Sequence, residues 1–218
     1  MSEAGVTKSL TPRQVLARAK PRYGLMARLL FRTLDIVYGK QTTVAKAAAL
    51  ELMARQPYEA WRHAAFVAVT HTGTTPEFAL AVQRRANRAT EQSNNETWHL
   101  LILHEMLHAQ GHKPRLIRDR VIPQILSFIS FHMALGLYVI RPAFSYRLNY
   151  WFEDHASRIY AQFCLDHPEL YERPWTSVFA EEYGARESIG ALFERVMIDE
   201  VEHADDSQAL VEHARFGQ

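Results

Sequence analysis

Apolar residues recur at three- and four-residue intervals along most of the chain, the period of a helix packed on one side. Strand-like alternation is scarce, and no Asn-Gly or Asp-Gly hairpin signal occurs. Leu25, Met26, Leu29, Leu30, Leu34 and Val37 mark a helix predicted over 21–38, opened by Pro21 and closed by Gly39. Arg22, Arg28 and Arg32 alternate with that stripe. Further helices are predicted over 42–71, with a break or kink at Pro57, and over 76–111, 115–140, 143–165 and 187–214. Positions 73–76 read as a turn, and 166–186 as a loop with short helical pieces.

The stretch 121–140 is uncharged, with Arg118 and Arg120 before it and Arg141 after it. Twenty such residues are long enough to span a bilayer. A single span would leave the later helices on the far side. A core or interfacial helix, lying beside the basic amphipathic helix at 21–38, is therefore expected.

Composition narrows the chemistry. The chain has 218 residues, a net charge of +1 and one cysteine, Cys164. One domain is expected over 21–218, preceded by a basic arm over 1–20. The even charge argues against a nucleic-acid partner. A lone cysteine excludes a disulfide framework and a cysteine-rich metal module. The even charge hides an asymmetry. Residues 1–46 carry nine Lys/Arg against two acids, and residues 171–218 carry eleven acids against four Arg. A basic front end suits an anionic lipid surface. The start has no apolar core of a secretory signal, so none is expected.

The redox and metal candidates must then be His and carboxylates. Glu-x-x-His places both side chains on one helical face, one turn apart. It occurs at Glu96 with His99, Glu105 with His108, and Glu200 with His203. Glu51 lies 45 residues before Glu96, and Glu153 lies 47 before Glu200. Each half thus offers a Glu on one helix and Glu-x-x-His on the next. That is the ligand set of ferritin-like di-iron bundles, in which four carboxylates and two imidazoles balance two ferrous ions.

A rival overlaps. His104, Glu105 and His108 fit H-E-x-x-H, the zinc peptidase signature. Pro114 stands where the extended form needs a third histidine. His104 and His108 also point roughly 130° away from the face of Glu96 and His99. His104, His108 and His112 then form a solvated or interfacial stripe.

From about Arg32 to Ala209 the chain resembles the alternative oxidases, and within them the plastid terminal oxidase branch most. The resemblance rests on four motifs in order: Leu50 and Glu51 with Pro57 following; Asn95, Glu96, His99 and Leu100; Glu153 with Tyr160 seven residues on; and Asp199, Glu200 and His203. It implies an all-α, ferritin-like four-helix di-iron bundle with additional short membrane-lying helices. It implies a quinol oxidase in which two quinols, ubiquinol or plastoquinol, reduce one O2 to two waters without proton pumping. The six Glu and His residues would bind two irons, with Asn95 and Asp199 supporting them. Tyr160, which on residues alone reads as a hydrogen-bonded core tyrosine, would be catalytic. Lys46, Leu50, Phe152, His155 and Ala156 would line the quinol pocket. A homodimer on a lipid surface is implied, and the cytoplasmic face of a bacterial inner membrane is the expected location.

The chain departs from the family pattern at Leu52, where a Thr is usual, and at Arg158. No N-terminal cysteine is present, so thiol regulation is not expected. Other architectures of this kind are quinone-ring hydroxylases of the demethoxyubiquinone type and non-catalytic iron-binding bundles.

Overall fold

The computed structural model describes residues 10–70 and 74–213. It is all-α. The helices are α1 (Pro12–Ala17), α2 (Leu25–Tyr38), α3 (Val44–Val69), α4 (Pro76–Ala109), α5 (Ile122–Ile140), α6 (Pro142–Asp166), α7 (Ala180–Tyr183) and α8 (Ile189–Glu212). A π-helical turn, Leu116–Val121, leads into α5, and a 3-10 turn, Pro168–Glu172, follows α6.

Four long helices make the bundle. α3 pairs with α4, α6 pairs with α8, and the pairs meet where α3 faces α6 and α4 faces α8. The buried face of α3 is rich in small residues, among them Ala47, Ala48, Ala49 and Ala54. Small side chains let helix backbones approach, so ligands from facing helices can reach a shared centre. Thr43, Thr75 and Ser188 cap α3, α4 and α8 by accepting backbone N–H bonds at their N-termini.

Several boundaries differ from the sequence expectation. α3 runs unbroken through Pro57. The proline removes one N–H from the ladder, but it is buried against the bundle, and packing outweighs the lost bond. α2 begins at Leu25, not at Pro21. Gly24 is extended there and takes no side chain, since an added Cβ would lie 2.3 Å from the Trp151 ring. Gly39 ends α2 at φ +90°, a conformation open to glycine. The expected basic arm is partly structured: α1 is closed by a reciprocal Thr11–Gln14 capping box, and Val15 is buried in the core. Arg158 holds α1 by donating to the carbonyls of Leu16 and Arg18 at 3.3 and 3.0 Å. Positions 1–9 of that arm, 71–73 and 214 lie outside the described residues.

α5 lies along the bundle. Pro123, Leu126, Ser130, Ala134 and Tyr138 form its buried stripe, against α3 and α6. Ile125, Phe128, Ile129, Val139 and Ile140 are exposed. Leu25, Met26, Leu29 and Ile36 are likewise exposed on α2. The C-terminal end of α2 meets the turn that leads into α5, where the Tyr38 hydroxyl donates to the Arg118 carbonyl at 2.9 Å. Among the described residues, Leu116–Ile140 is the one helical stretch long and apolar enough to cross a membrane, and 28% of its most apolar window is buried.

Candidate metal centre

Six residues singled out by their spacing converge between the two helix pairs. Glu51 comes from α3, Glu96 and His99 from α4, Glu153 from α6, and Glu200 and His203 from α8. All are buried, the four carboxylates completely. Their donor atoms fall into two overlapping sets, each within 4.8 Å: Glu51, Glu96, His99 and Glu200, and Glu96, Glu153, Glu200 and His203. Glu96 and Glu200 belong to both. Two adjacent cations could be held here, with Glu96 and Glu200 in reach of both and one further Glu and one His in reach of each. His99 Nδ1 lies 3.2 Å from both Glu51 Oε2 and Glu200 Oε1, and His203 Nδ1 lies 2.6 Å from Glu96 Oε1.

The protein alone does not satisfy these atoms. Both oxygens of Glu96, both of Glu200, Glu153 Oε2 and His203 Nδ1 are buried with no partner in hydrogen-bond geometry, although His203 and Glu96, and His99 and Glu200, stand in ion-pair contact. Buried carboxylates in that condition are costly. Hard oxygen donors with imidazole suit iron or manganese, and four negative charges balance two divalent ions. The residues therefore fit a two-metal site.

The electrostatics agree. Burial, then the Glu200, Glu51 and Glu153 charges, hold Glu96 well above the ordinary carboxylate range. Burial and the Glu200 charge do the same to Glu153. Glu200 is pushed up to about 7 by burial and by Glu51. At Glu51 burial acts upward too, but the charge and hydrogen bond of His99 outweigh it and lower the carboxyl. Burial takes His203 down to about 3, leaving a neutral imidazole.

A polar layer backs the centre. Asp199 Oδ2 sits 3.2 Å from His99 Nε2, accepts from the Tyr183 hydroxyl at 2.7 Å and from Asn95 at 3.4 Å, and its other oxygen pairs with Arg195. Burial would raise Asp199, but the His99 hydrogen bond and the His99 and Arg195 charges bring it to about 2. The ionised Asp199 thus orients the His99 ring and leaves Nδ1 facing the carboxylates. The Tyr160 hydroxyl donates to Glu51 Oε1, and the Tyr58 hydroxyl donates to Glu153 Oε1 at 2.7 Å. Tyr58, Tyr183, Asn149 and Arg195 escaped the sequence reading. For Tyr58 a signal existed, since it follows Glu51 by the same seven residues that separate Tyr160 from Glu153. Tyr183 lies on a four-residue helix in the 166–186 segment, where no periodicity announces it.

The remaining expected residues lie together to one side. Lys46 and Leu50 on α3, and Phe152, His155 and Ala156 on α6, are buried or nearly so. Phe31 of α2 covers them, its ring 3.8 Å from His155 and 5.8 Å from Phe152 between centroids. The Lys46 ammonium donates to Asp35 Oδ1 at 2.6 Å and to the Gly39 carbonyl at 2.9 Å, pinning the corner between α2 and α3. His104, His108 and His112 line a separate cavity of about 410 Å³ and enter neither metal-capable set. Among the described residues, His104, Glu105 and His108 join no group of three or more metal-capable donors.

An all-helical bundle with two Glu-x-x-His helices and two further glutamates around one buried centre is an arrangement that could hold two metal ions. The sequence description of the alternative oxidases matches residues 25–209, and the chain belongs to the alternative oxidase family. Members are di-iron oxidoreductases that act on quinol with O2, and they are membrane-associated. No individual curated protein matches the chain.

Proposed function

We propose that this protein is a membrane-associated terminal oxidase of the plastid type, oxidising ubiquinol or plastoquinol and reducing O2 to water. The observation that carries this reading is the six-residue cluster with Tyr160 bonded to Glu51 inside a family-matched bundle. Glu51, Glu96, His99, Glu153, Glu200 and His203 would hold two irons. When bound, the irons supply the redox chemistry that carries electrons from quinol to O2.

The chain's own residues do the rest. Phe152, Leu50 and Ala156 offer an apolar wall for the quinol ring, and Phe31 shields it from water. Burial, with the charges of Lys20 and Lys46, lowers His155 to about 4, so its imidazole is neutral at physiological pH. A neutral imidazole has one nitrogen free to accept from a quinol hydroxyl. Tyr160, fully buried beside Glu51, is placed to move an electron and a proton together; burial and the Glu51 charge strongly disfavour its phenolate. Asn95 and Asp199 hold the cluster in register.

The exposed apolar residues of α2 and α5, fringed by Arg22, Arg28, Arg32, Arg118 and Arg120, suit a bundle resting on an anionic leaflet. The cytoplasmic face of a bacterial inner membrane fits that charge. One buried centre serves both half-reactions, so oxidation and reduction occur on the same side and no charge is carried across. The apolar surface of Phe66, Val67, Phe78 and Leu80, at the far ends of α3 and α4, suits a second copy in a homodimer.

The test is oxygen uptake by the purified protein in detergent with a reduced short-tail quinol, alongside its metal content. About two irons per chain and cyanide-resistant uptake, lost in Glu200→Ala, are expected. Iron without quinol-driven uptake would overturn the oxidase reading in favour of ring hydroxylation or iron binding.

A further inference from the structure

Each half of the bundle carries a tyrosine seven residues after its first glutamate: Glu51 then Tyr58 on α3, and Glu153 then Tyr160 on α6. Seven residues are about two turns, or roughly 10 Å of helix, which puts tyrosine and glutamate on one face, yet neither hydroxyl bonds its own glutamate. The partners are exchanged instead. Tyr160 donates to Glu51, and Tyr58 donates to Glu153. The two helices lie opposite each other with each tyrosine level with the other's carboxylate.

The exchange has a chemical consequence. Glu96 and Glu200 belong to both metal-capable sets, whereas Glu51 belongs only to the set with His99 and Glu153 only to the set with His203. Each tyrosine therefore grips the one carboxylate that serves a single cation site. One oxygen of Glu153 is occupied by Tyr58, and the other, Oε2, is buried and free.

Tyr58 is also held more firmly than Tyr160. Its hydroxyl accepts from Asn149 Nδ2 at 3.0 Å, and Asn149 donates equally to Ser207 Oγ at 3.0 Å. Asn149 lies one turn before Glu153 on α6, and Ser207 one turn after His203 on α8. The Tyr58 ring stands edge-on to His203, with centroids 5.7 Å apart. One hydroxyl thus binds the glutamate of a site while its ring packs on the histidine of the same site.

We propose that Tyr58 is the counterpart of Tyr160 at the other metal: a positioning residue that turns the free oxygen of Glu153 toward the cation and so sets the affinity of the Glu153–His203 site. The proposal rests on the two-metal reading of the cluster. Support of this kind typically changes metal affinity by about 10–100-fold.

The test is anaerobic titration of the chelator-stripped chain with Mn(II), followed by electron paramagnetic resonance. The unmodified chain should take two ions and show the exchange-coupled spectrum of a pair. Tyr58→Phe, which removes only the hydroxyl, should weaken one of the two equivalents by about 10–100-fold and leave a mononuclear six-line spectrum at low loading. In a His203→Ala background Tyr58→Phe should change nothing more, and in a His99→Ala background it should weaken the remaining site. If Tyr58→Phe does not fold, Asn149→Ser should show a smaller loss at the same site. A Tyr58→Phe isotherm matching the unmodified one, with or without a lower melting temperature, would overturn this proposal alone. Fewer than two ions in the unmodified chain would overturn the metal reading, and this proposal with it.

Discussion

Removing the metal should make this protein less stable as pH rises through neutrality. In the folded metal-free chain, burial and mutual repulsion hold Glu96 and Glu153 protonated well above their ordinary range, and Glu200 titrates at about 7. Unfolded, all three ionise near the ordinary carboxylate value. A raised folded-state pKa gives stability that is present at low pH and lost as pH climbs through the folded value. While they stay protonated in the folded chain, Glu96 and Glu153 each hold a proton that the unfolded chain has released. One such proton costs about 1.4 kcal/mol per pH unit. For a chain of this size, one proton lowers the melting temperature by roughly 3–6 °C per unit. His99 acts in the same direction: burial opposes its cation, but the Tyr183 and Glu51 charges and the Asp199 hydrogen bond outweigh it. His203 and His155, lowered to about 3 and about 4, gain stability only up to the unfolded histidine value, below this window. Glu51 and Asp199, with lowered carboxyls, complete their contributions at still lower pH. Calorimetry of chelator-stripped protein in detergent at pH 6.5, 7, 7.5 and 8 measures the slope. Added Mn(II) should reverse it, because the ligands must lose their protons before the ion binds. A metal-free melting temperature that is flat or rises from pH 7 to 8 would refute the buried-carboxylate reasoning.

Four further outcomes are expected. Tyr160→Phe, assayed at saturating metal, should lower quinol-driven oxygen uptake by about two orders of magnitude or more, the scale of losing a proton-transfer group; unchanged uptake would remove Tyr160 from the mechanism. Glu200→Gln in the metal-free chain should soften the pH slope of melting and abolish binding of the ion pair, both read by the same calorimetry. Lys46→Met leaves Asp35 and the Gly39 carbonyl without their donor; since Asp35 is partly open to water, the loss should be about 1–2 kcal/mol in chemical denaturation, together with a raised KM for quinol. Ile125→Glu with Phe128→Glu, both on the outer face of α5, should release the protein from anionic vesicles in a flotation assay while leaving metal content intact; vesicle binding that persists would separate α5 from the lipid surface.

The resemblance to an oxidase was carried by short-range spacing. Glu-x-x-His needs only one helical turn, and the placement of a glutamate 45 or 47 residues earlier needs only an antiparallel return. Both are one-dimensional facts about helices, so the six ligand candidates were readable before any coordinates. The exposed apolar stripes of α2 and α5 were readable for the same reason, because an apolar face repeats with the helical period.

Other features depended on which helix faces which. Pro57 reads as a break in the sequence, yet α3 passes through it because burial on the bundle outweighs one missing hydrogen bond. The basic arm reads as preceding the domain, yet Val15 finds the core and Arg158 caps the α1 carbonyls from α6. Tyr183 emerges from a segment without periodicity, and reaches His99 only because that loop folds back over α4 and α8. The exchanged Tyr–Glu bonds are the clearest case. Sequence alone places Tyr58 near Glu51 and Tyr160 near Glu153, whereas the antiparallel meeting of α3 and α6 joins each hydroxyl to the other helix's carboxylate. Helical periodicity determined which side chains share a face, since it depends on nearest neighbours along the chain. The partner across the core, and with it the protonation and the unmet bonds of the buried carboxylates, was decided only by tertiary packing, which brings together residues about a hundred positions apart and removes the water that would otherwise satisfy them.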